Sequence, residues 1–157
     1  MIKSDALFSE CEKYRYSLTR IWDEKKPTYL FIGLNPSVAN SIDDDKTMKR
    51  IIDFVKRWGG GGLYMANLFS YVATKSYEMW ESDEPIGTNN DQSIIELSNK
   101  ADTIVLCWGS DGHKHPRALE VINLLKDNHT LYCLKKNKDM SPKHPLYTAK
   151  DTDLIVY

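Results

Sequence analysis

The sequence is poor in cysteine, with three in 157 residues: Cys11, Cys107 and Cys133. They are widely spaced, odd in number and form no Cys-x-x-Cys pair, so we expect neither disulfide bonds nor a structural zinc site. Cys107 and Cys133 lie inside apolar, strand-like segments. This context predicts that both are small core residues.

Long apolar runs are also absent. The longest, residues 29–34, is far too short to cross a bilayer, and the first five residues lack the apolar stretch of a secretion signal. We therefore expect a cytoplasmic protein that does not enter a membrane. The length and the 41% hydrophobic content fit a single domain, residues 1–157, with one core.

No charge of either sign dominates, since the formal net charge is -1. This balance argues against a tight, nonspecific DNA binder, which usually carries a basic stripe. Lysines at positions 135, 136, 138 and 143 lie close together in the sequence. They form either a local basic patch or a solvated loop.

Several sequence signatures are missing as well. There is no P-loop, no dinucleotide-binding glycine fingerprint and no Gly-x-Ser-x-Gly segment. His113 and His115 are two residues apart, but no third metal ligand is obvious near them. We predict no cofactor and no metal.

The hydrophobic pattern predicts strands that alternate with helices. Strands are predicted over residues 14–22, 28–34, 63–69, 103–108 and 131–134, with a short last strand over 154–157. Helices are predicted over residues 46–58, 88–99 and 116–126, with a helical turn over 77–80. The caps offered at 88–90 and Pro116 in a first turn support two of these helices.

The first two strands differ in their pattern. Residues 14–22 alternate between apolar and polar side chains, which predicts a half-buried strand, whereas residues 28–34 are nearly all apolar, as in a strand covered on both faces. We expect these two strands to form an antiparallel hairpin. The predicted fold class is α/β: a three-layer α/β/α domain with a largely parallel central sheet of about four strands plus an N-terminal antiparallel strand.

Three predicted strands end in polar or glycine-containing segments, and a fourth is followed by one after a lysine-rich loop. The segments are Gly33-Leu34-Asn35-Pro36-Ser37, Ala66-Asn67-Leu68, Trp108-Gly109-Ser110 and His144-Pro145-Leu146. In sheets of this kind, ligands bind beyond the carboxyl ends of the strands. The topology therefore predicts that these segments gather around one ligand site.

Two asparagines are candidates for binding, because each amide can both donate and accept a hydrogen bond. Gly33 lets a ligand approach closely, and Pro36 stiffens the turn that presents Asn35 and Ser37. Asn35 either contacts the ligand or bonds its own backbone in an ordinary turn. Asn67 either pairs with the edge of a nucleobase or is a buried turn residue satisfied by backbone groups.

His144 is the best candidate for chemistry. Prolines at 142 and 145 stiffen its loop, and a neutral imidazole can donate a hydrogen bond to a developing oxyanion; it can equally anchor the loop.

Arg50, one helical turn after Lys46 and Thr47, holds a phosphate or is a surface charge. Aromatic side chains that could stack on a base or belong to the core are Phe31, Tyr64, Phe69, Tyr71, Trp108 and Tyr147.

These segments together resemble a bacterial and phage family known as domain-of-unknown-function family 1643. The resemblance runs from about residue 14 to residue 147. It is carried by Arg15-Tyr16-Ser17-Leu18, Gly33-Leu34-Asn35-Pro36-Ser37, Asp45-Lys46-Thr47, Asn67-Leu68-Phe69, Trp108-Gly109-Ser110 and Lys143-His144-Pro145-Leu146-Tyr147. This resemblance indicates a family but implies no activity.

A more distant resemblance is to the uracil-DNA glycosylase superfamily, whose α/β/α enzymes cut the N-glycosidic bond of a flipped base. Gly33-Leu34-Asn35-Pro36 is similar to the motif that positions the attacking water, and Asn67 matches the base-reading asparagine by order. Leu106-Cys107-Trp108-Gly109-Ser110 is similar to a later strand end. His144-Pro145 matches the motif whose histidine stabilises the departing base.

The chain departs from that superfamily at two places. Asn35 stands where many members have aspartate, and an amide is a weaker activator of water. Leu146-Tyr147 follows His144-Pro145 where the superfamily has Ser-Pro-Leu-Ser, so the leucine that wedges into DNA is displaced or absent. Flipping a base out of a duplex costs a few kcal/mol, so a free nucleotide or single-stranded DNA is the more economical substrate.

We predict a uracil-DNA-glycosylase-like domain that recognises a nucleobase, a nucleotide, or single-stranded or modified DNA. One hypothesis is an N-glycosidic bond hydrolase with catalytic Asn35 and His144. Its substrate-binding residues would be Gly33, Pro36, Ser37, Arg50, Asn67, Phe69, Trp108, Gly109, Ser110 and Tyr147. The alternative is a noncatalytic binder of a nucleotide-derived ligand or modified base, for example one that sequesters a signalling nucleotide in a phage setting. A protein-interaction module, with no pocket between Asn35, Asn67 and His144, is a third hypothesis.

Overall fold

A computed structural model describes residues 2–157 and shows a mixed α/β domain. The strands are β1 (Lys3–Phe8), β2 (Arg15–Ile21), β3 (Thr28–Gly33), β4 (Gly62–Asn67), β5 (Thr103–Leu106), β6 (Leu131–Cys133) and β7 (Ile155–Val156). The helices are α1 (Lys46–Arg57), α2 (Ser76–Glu81), α3 (Asn90–Lys100), α4 (Gly109–His113) and α5 (Pro116–Leu125), with a 3₁₀ turn at Pro145–Tyr147.

Within residues 2–157 the strands form one seven-stranded sheet in the order β1-β2-β4-β3-β5-β6-β7. The four central strands, β4, β3, β5 and β6, run parallel, while β1, β2 and β7 join antiparallel at the two sides. The predicted parallel centre of about four strands is confirmed. The sheet is larger than the predicted fold class because the N-terminal side has two antiparallel strands, and because β7, which matches the short last strand predicted over residues 154–157, joins the other side.

The strand β1 was not predicted, and its pattern explains why. Its six residues are mostly exposed and mix polar with apolar side chains, so they carry no clear alternation. Backbone pairing with β2 over Lys3 to Phe8 holds it in place. A strand held mainly by its hydrogen-bonded partner leaves little hydrophobic signal in the sequence.

The predicted hairpin between the first two long strands is wrong. β2 pairs with β4 instead, and β3 lies on the far side of β4. Gly62 makes this pairing possible, since a Cβ there would lie 2.5 Å from Ile21 Cδ1 and 2.9 Å from the Arg20 carbonyl oxygen. β2 is therefore an inner strand, and its predicted half-burial is also wrong: both of its faces are buried apart from Ser17.

The helices cover both faces of the sheet. Helix α1 packs Met48, Ile51 and Val55 on the face that carries Phe31 and Met65. Helices α3 and α5 pack on the opposite face, against Leu30, Ile32, Tyr64, Ala66 and Leu106. Successive strand residues point to opposite faces, so this division gives the predicted three layers.

Other local predictions can also be compared with the structure. Cys107 and Cys133 are buried, as predicted, and Cys11 is exposed. Asp45 caps α1, where its side chain accepts a hydrogen bond from the Met48 backbone N–H at 2.8 Å. The segment at 88–90 does not cap α3 through a side chain. None of the described helices is both long enough and apolar enough to span a membrane.

Candidate functional site

A cavity of about 560 Å³ opens at the carboxyl ends of β3, β4 and β5. Its volume lies within the range of about 300–1,000 Å³ that is typical of small-molecule sites. Nine of the predicted site residues line it: Gly33, Asn35, Ser37, Asn67, Trp108, Gly109, Ser110, His144 and Tyr147. The structure therefore brings Asn35, Asn67 and His144 to one cavity, as the topology predicts.

Three predicted site residues are not in this lining. Pro36 is buried, and its carbonyl accepts hydrogen bonds from the Asn35 side chain and the Ala73 backbone. Arg50 is held away because its Nη1 donates to the Thr148 carbonyl at 2.8 Å. Phe69 is fully buried in the core, with its ring edge-on to Trp80. Pro36, Arg50 and Phe69 lie outside the cavity lining, so their ligand contacts stay predictions.

Asn67 is the most enclosed polar side chain of the predicted set. It is 2% exposed, and its Oδ1 has no hydrogen-bond partner among the described residues. Asn90 fixes the backbone here, because its Nδ2 donates to the carbonyls of Asn67 at 2.9 Å and Leu68 at 3.0 Å. Leaving a buried polar group unsatisfied costs about 1–3 kcal/mol. A ligand that donates to Asn67 would remove that cost.

Asn35 is anchored through one half of its amide. Its Nδ2 donates to the Pro36 carbonyl at 3.0 Å and to the Ala73 carbonyl at 3.1 Å. These two bonds orient the side chain and occupy both of its N–H groups. Asn35 therefore offers only its Oδ1, a hydrogen-bond acceptor, to a water molecule or a ligand.

His144 is held as one neutral tautomer. Its Nδ1 accepts a hydrogen bond from the Leu146 backbone N–H at 3.1 Å, so the ring proton is on Nε2. Burial lowers the pKa of His144, and the negative charge of Asp45 offsets this only in part. The imidazole is neutral at pH 7 and has one N–H group to donate.

The far wall of the cavity is built by the loop that follows β6. Ser141 donates to Asp139 at 2.5 Å and accepts from Asn137 at 2.9 Å, so its single proton is used. Ser110, 3.1 Å from the Ser141 oxygen, must then be the donor of that pair. The bonds to Ser141 lower the pKa of Asp139 and keep it ionised. Ser110 is left with lone pairs that can accept from a ligand.

Three other lining side chains differ in what they can do. Cys107 is fully buried, and burial raises the pKa of its thiol to about 12, so it is not a nucleophile at neutral pH. Tyr147 is 76% exposed at the rim, with its ring centroid 5.6 Å from that of His144. Tyr147 can contact a ligand that enters, whereas the ring of Trp108 is buried in the core.

A family model described as Protein of unknown function (DUF1643) matches residues 15–146. The chain belongs to the DUF1643 family. The match covers most of the chain and confirms the resemblance deduced from its segments. No curated protein matches the chain. No solved structure matches it either.

Arg15 and Asp45 are charged residues of the lining that lie within the DUF1643 match and were not predicted as site residues. Strict alternation along β2 places Arg15 on the face opposite Leu18, yet both line the cavity. The reason is a register shift: Leu7 and Phe8 are adjacent, but their partners on β2 are Ser17 and Arg15. Such an irregularity redirects side chains. The only signal for either residue was its place in a segment that carries the family resemblance.

Arg15 is 4% exposed, and burial lowers its pKa to about 10, which still leaves it cationic at neutral pH. Its Nη1 donates to the Ala39 carbonyl at 2.8 Å, while its Nε has no hydrogen-bond partner in the described part of the chain. The cavity thus combines a buried cation, an unsatisfied amide and a neutral imidazole. Asp45, Asp111 and Lys143 are further charged residues in its lining.

Proposed function

We propose that this cavity recognises a nucleobase, carried by a nucleotide or by single-stranded or modified DNA. The observation that supports it most is Asn67, a buried amide in the cavity lining whose Oδ1 lacks a partner among the described residues. An amide pairs with the edge of a base through one donor and one acceptor. The order of Asn35, Asn67, Trp108-Gly109-Ser110 and His144 along the chain, similar to the uracil-DNA glycosylase superfamily, supports the same fold and function.

The first candidate activity is hydrolysis of the N-glycosidic bond. The bond between the sugar C1′ and the base nitrogen breaks, and its electron pair leaves with the base. The Nε2–H of His144 donates to the base oxygen that takes up the negative charge. The neutral state of His144 suits this role, because it donates without giving up its proton.

The water that adds to C1′ is oriented by Asn35. The Asn35 Oδ1 accepts a hydrogen bond from the water but is too weak a base to remove its proton. Asp45, a carboxylate in the same lining, is available to take that proton. The departing anionic base then takes up this proton from Asp45 through water, so the products are the free base and the sugar hydroxyl, and Asp45 is a carboxylate again.

The second candidate is a noncatalytic binder of a nucleotide-derived ligand or modified base. The observation that favours it is the Asn35 side chain, whose two bonds to Pro36 and Ala73 give it an anchoring role. A binder uses Asn67 and His144 for recognition without activating water.

Mass spectrometry after incubation with free nucleotides and base-modified oligonucleotides separates these functions. Release of free base that disappears in both Asn35→Ala and His144→Ala supports hydrolysis. Intact ligand that survives purification, with no base released, supports binding alone. Asn89→Ala serves as the matched control, since Asn89 is exposed and outside the cavity lining. If no nucleotide or oligonucleotide binds or reacts, the proposal fails.

A further inference from the structure

We infer that Arg15 binds the terminal phosphate of the ligand, so that the cavity takes a free nucleoside monophosphate. This inference rests on the proposed recognition of a nucleobase and adds the part of the ligand that Arg15 contacts. Arg15 is a buried cation in the cavity lining. Buried charges in proteins are paired or compensated, because removing them from water is costly.

The other two buried arginines show what compensation looks like in this chain. Arg20, 1% exposed, places its Nε 2.9 Å from Asp44 Oδ1 and also donates to backbone carbonyls. Arg117, 2% exposed, places its Nη2 2.5 Å from Asp91 Oδ1 and its Nη1 3.4 Å from Glu120 Oε2. Each of these arginines lies in a carboxylate ion pair.

Arg15 has no such partner: across the described residues, no carboxylate oxygen lies within 4.0 Å of its guanidinium nitrogens. Asp45 is close enough to favour the charged form of Arg15 but is outside that distance. One oxygen of Asp45 is already engaged in capping α1 through the Met48 N–H. An anion supplied by the ligand would complete the missing ion pair, and phosphate suits the fork of donors on a guanidinium.

The depth of Arg15 selects among phosphate-bearing ligands. At 4% exposure its guanidinium is reached only by a group that enters the cavity. A terminal phosphate can do so, because it is joined to the rest of the ligand on one side. A phosphodiester within a DNA strand continues on both sides and stays at the surface. The base of the same small ligand then reaches Asn67.

Calorimetric titration with nucleosides and their monophosphates tests this assignment on the intact protein. The wild-type protein is expected to bind at least one monophosphate about 10- to 100-fold more tightly than the matching nucleoside, the range expected for hydrogen bonds to a charged group. Arg15→Met should abolish that preference, and Arg15→Lys should retain part of it. Single-stranded oligonucleotides that contain the same base are titrated as well, for comparison with the nucleoside and its monophosphate.

The outcomes separate this inference from the proposed function. If wild-type protein binds a nucleoside and its monophosphate equally, Arg15 does not bind phosphate, while base recognition stands. Tighter binding of an oligonucleotide than of the monophosphate likewise overturns the inference alone. If neither nucleosides, nucleotides nor oligonucleotides bind, the inference and the proposed function both fail. The wild-type comparison can overturn the inference even if a variant does not fold, and the Arg15 variants assign the preference to Arg15 and not to Lys143.

Thermal unfolding without ligand gives an independent readout with a matched control. Arg15→Met removes an uncompensated charge but also the Nη1 bond to the Ala39 carbonyl, so these effects oppose each other and its melting temperature should stay within about 4 °C of the wild-type value. Arg20→Met breaks the pair with Asp44 and should lower the melting temperature by at least about 5 °C. A loss in Arg15→Met as large as that in Arg20→Met would make Arg15 a structural residue and overturn the assignment.

Discussion

The side chain of Asn67 lies across Gly33 on the neighbouring strand. The two residues are partners in the parallel register of β3 and β4, and a Cβ on Gly33 would stand 2.9 Å from Asn67 Oδ1. The same Cβ would stand 2.7 Å from Met65 Cε. The absence of a side chain at 33 therefore gives the Asn67 amide its place in the cavity.

Gly33→Ala should weaken nucleotide binding at least about tenfold, because the new methyl group displaces the Asn67 amide. Stability should fall by about 1–3 kcal/mol, as is typical when a packed site receives an extra carbon. Isothermal titration and urea unfolding measure the two effects. Unchanged affinity in Gly33→Ala would mean that the position of Asn67 does not matter for binding.

Gly59→Ala is the matched control for a glycine substitution. Gly59 has a φ of +80°, which strains any L side chain, but a methyl group there would meet nothing within 4 Å. Its replacement should cost about 1 kcal/mol of stability through the backbone alone. Nucleotide affinity should stay at the wild-type value, since Gly59 is outside the cavity lining.

Asn90→Ala should destabilise the fold and disturb the end of β4, which carries Asn67. The Asn90 side chain donates hydrogen bonds to the carbonyls of Asn67 and Leu68. The substitution removes this donor from both buried carbonyl oxygens. We expect a loss of about 1–3 kcal/mol in the free energy of unfolding and weaker nucleotide binding. Denaturant titration and calorimetry are the measurements.

Asn89→Ala provides the neighbouring control. Asn89 is exposed and makes no side-chain capping bond to α3, so its replacement should change stability by no more than about 0.5 kcal/mol. Equal stability of the two alanine variants would contradict the anchoring role assigned to Asn90.

The parallel centre of the fold could be predicted from the sequence because its signals are local. Apolar runs alternate along the chain with segments of helical periodicity. Each run predicts a buried strand, and the segment after it predicts a helix that covers that strand. The partner of β2 could not be predicted in this way. Its pairing with β4 depends on the close approach at Gly62, a contact between segments 41 residues apart for the Ile21–Gly62 pair.

The candidate site was predictable to the extent that strand ends define it. Asn67 ends β4, Asn35 follows β3, and His144 follows the loop after β6, so the topology brings them to one cavity. Arg15 could not be found by this route, because it lies at the start of an antiparallel strand and faces the cavity only through a register shift. Arg50 lies outside the lining, and helical spacing alone could not reveal its bond to the Thr148 carbonyl.

Asn35→Asp should destabilise the protein at pH 7, although aspartate is the stronger water activator. The Asn35 Nδ2 donates to two carbonyl oxygens, and an ionised carboxylate would face both of them without a proton. We expect a loss of about 1–3 kcal/mol relative to wild type. Urea unfolding at pH 7 measures it, with Asn35→Ala as the uncharged control.

The pH dependence of this variant follows from the same contacts. The carbonyl oxygens should raise the folded-state pKa of the new aspartate, so its protonated form is favoured and the deficit shrinks as pH falls below the folded-state value. The measurement is the free energy of unfolding of Asn35→Asp relative to Asn35→Ala between about pH 4 and pH 7, the range in which a carboxyl with a raised pKa titrates. A difference that does not change over this range would contradict the proposed geometry.

The stability of the wild-type protein should contain a contribution from His144 that depends on pH. Burial lowers the folded-state pKa of His144 below its ordinary value, so the unfolded chain binds a proton more readily than the folded protein does. The contribution is fully present above about pH 6.5, the ordinary histidine value, and is lost as pH falls through the folded-state pKa. The Leu146 N–H bond to Nδ1 acts in the same direction, because a protonated Nδ1 cannot accept it.

His144→Gln removes this titration and isolates its effect. The free energy of unfolding of wild type minus that of His144→Gln should be constant from about pH 7 upward and should decrease toward pH 5. Urea titrations of both proteins across this range measure the difference. A difference that grows as pH falls would mean that the folded protein favours imidazolium, and a neutral donor at Nε2 would then be excluded from the recognition of the base.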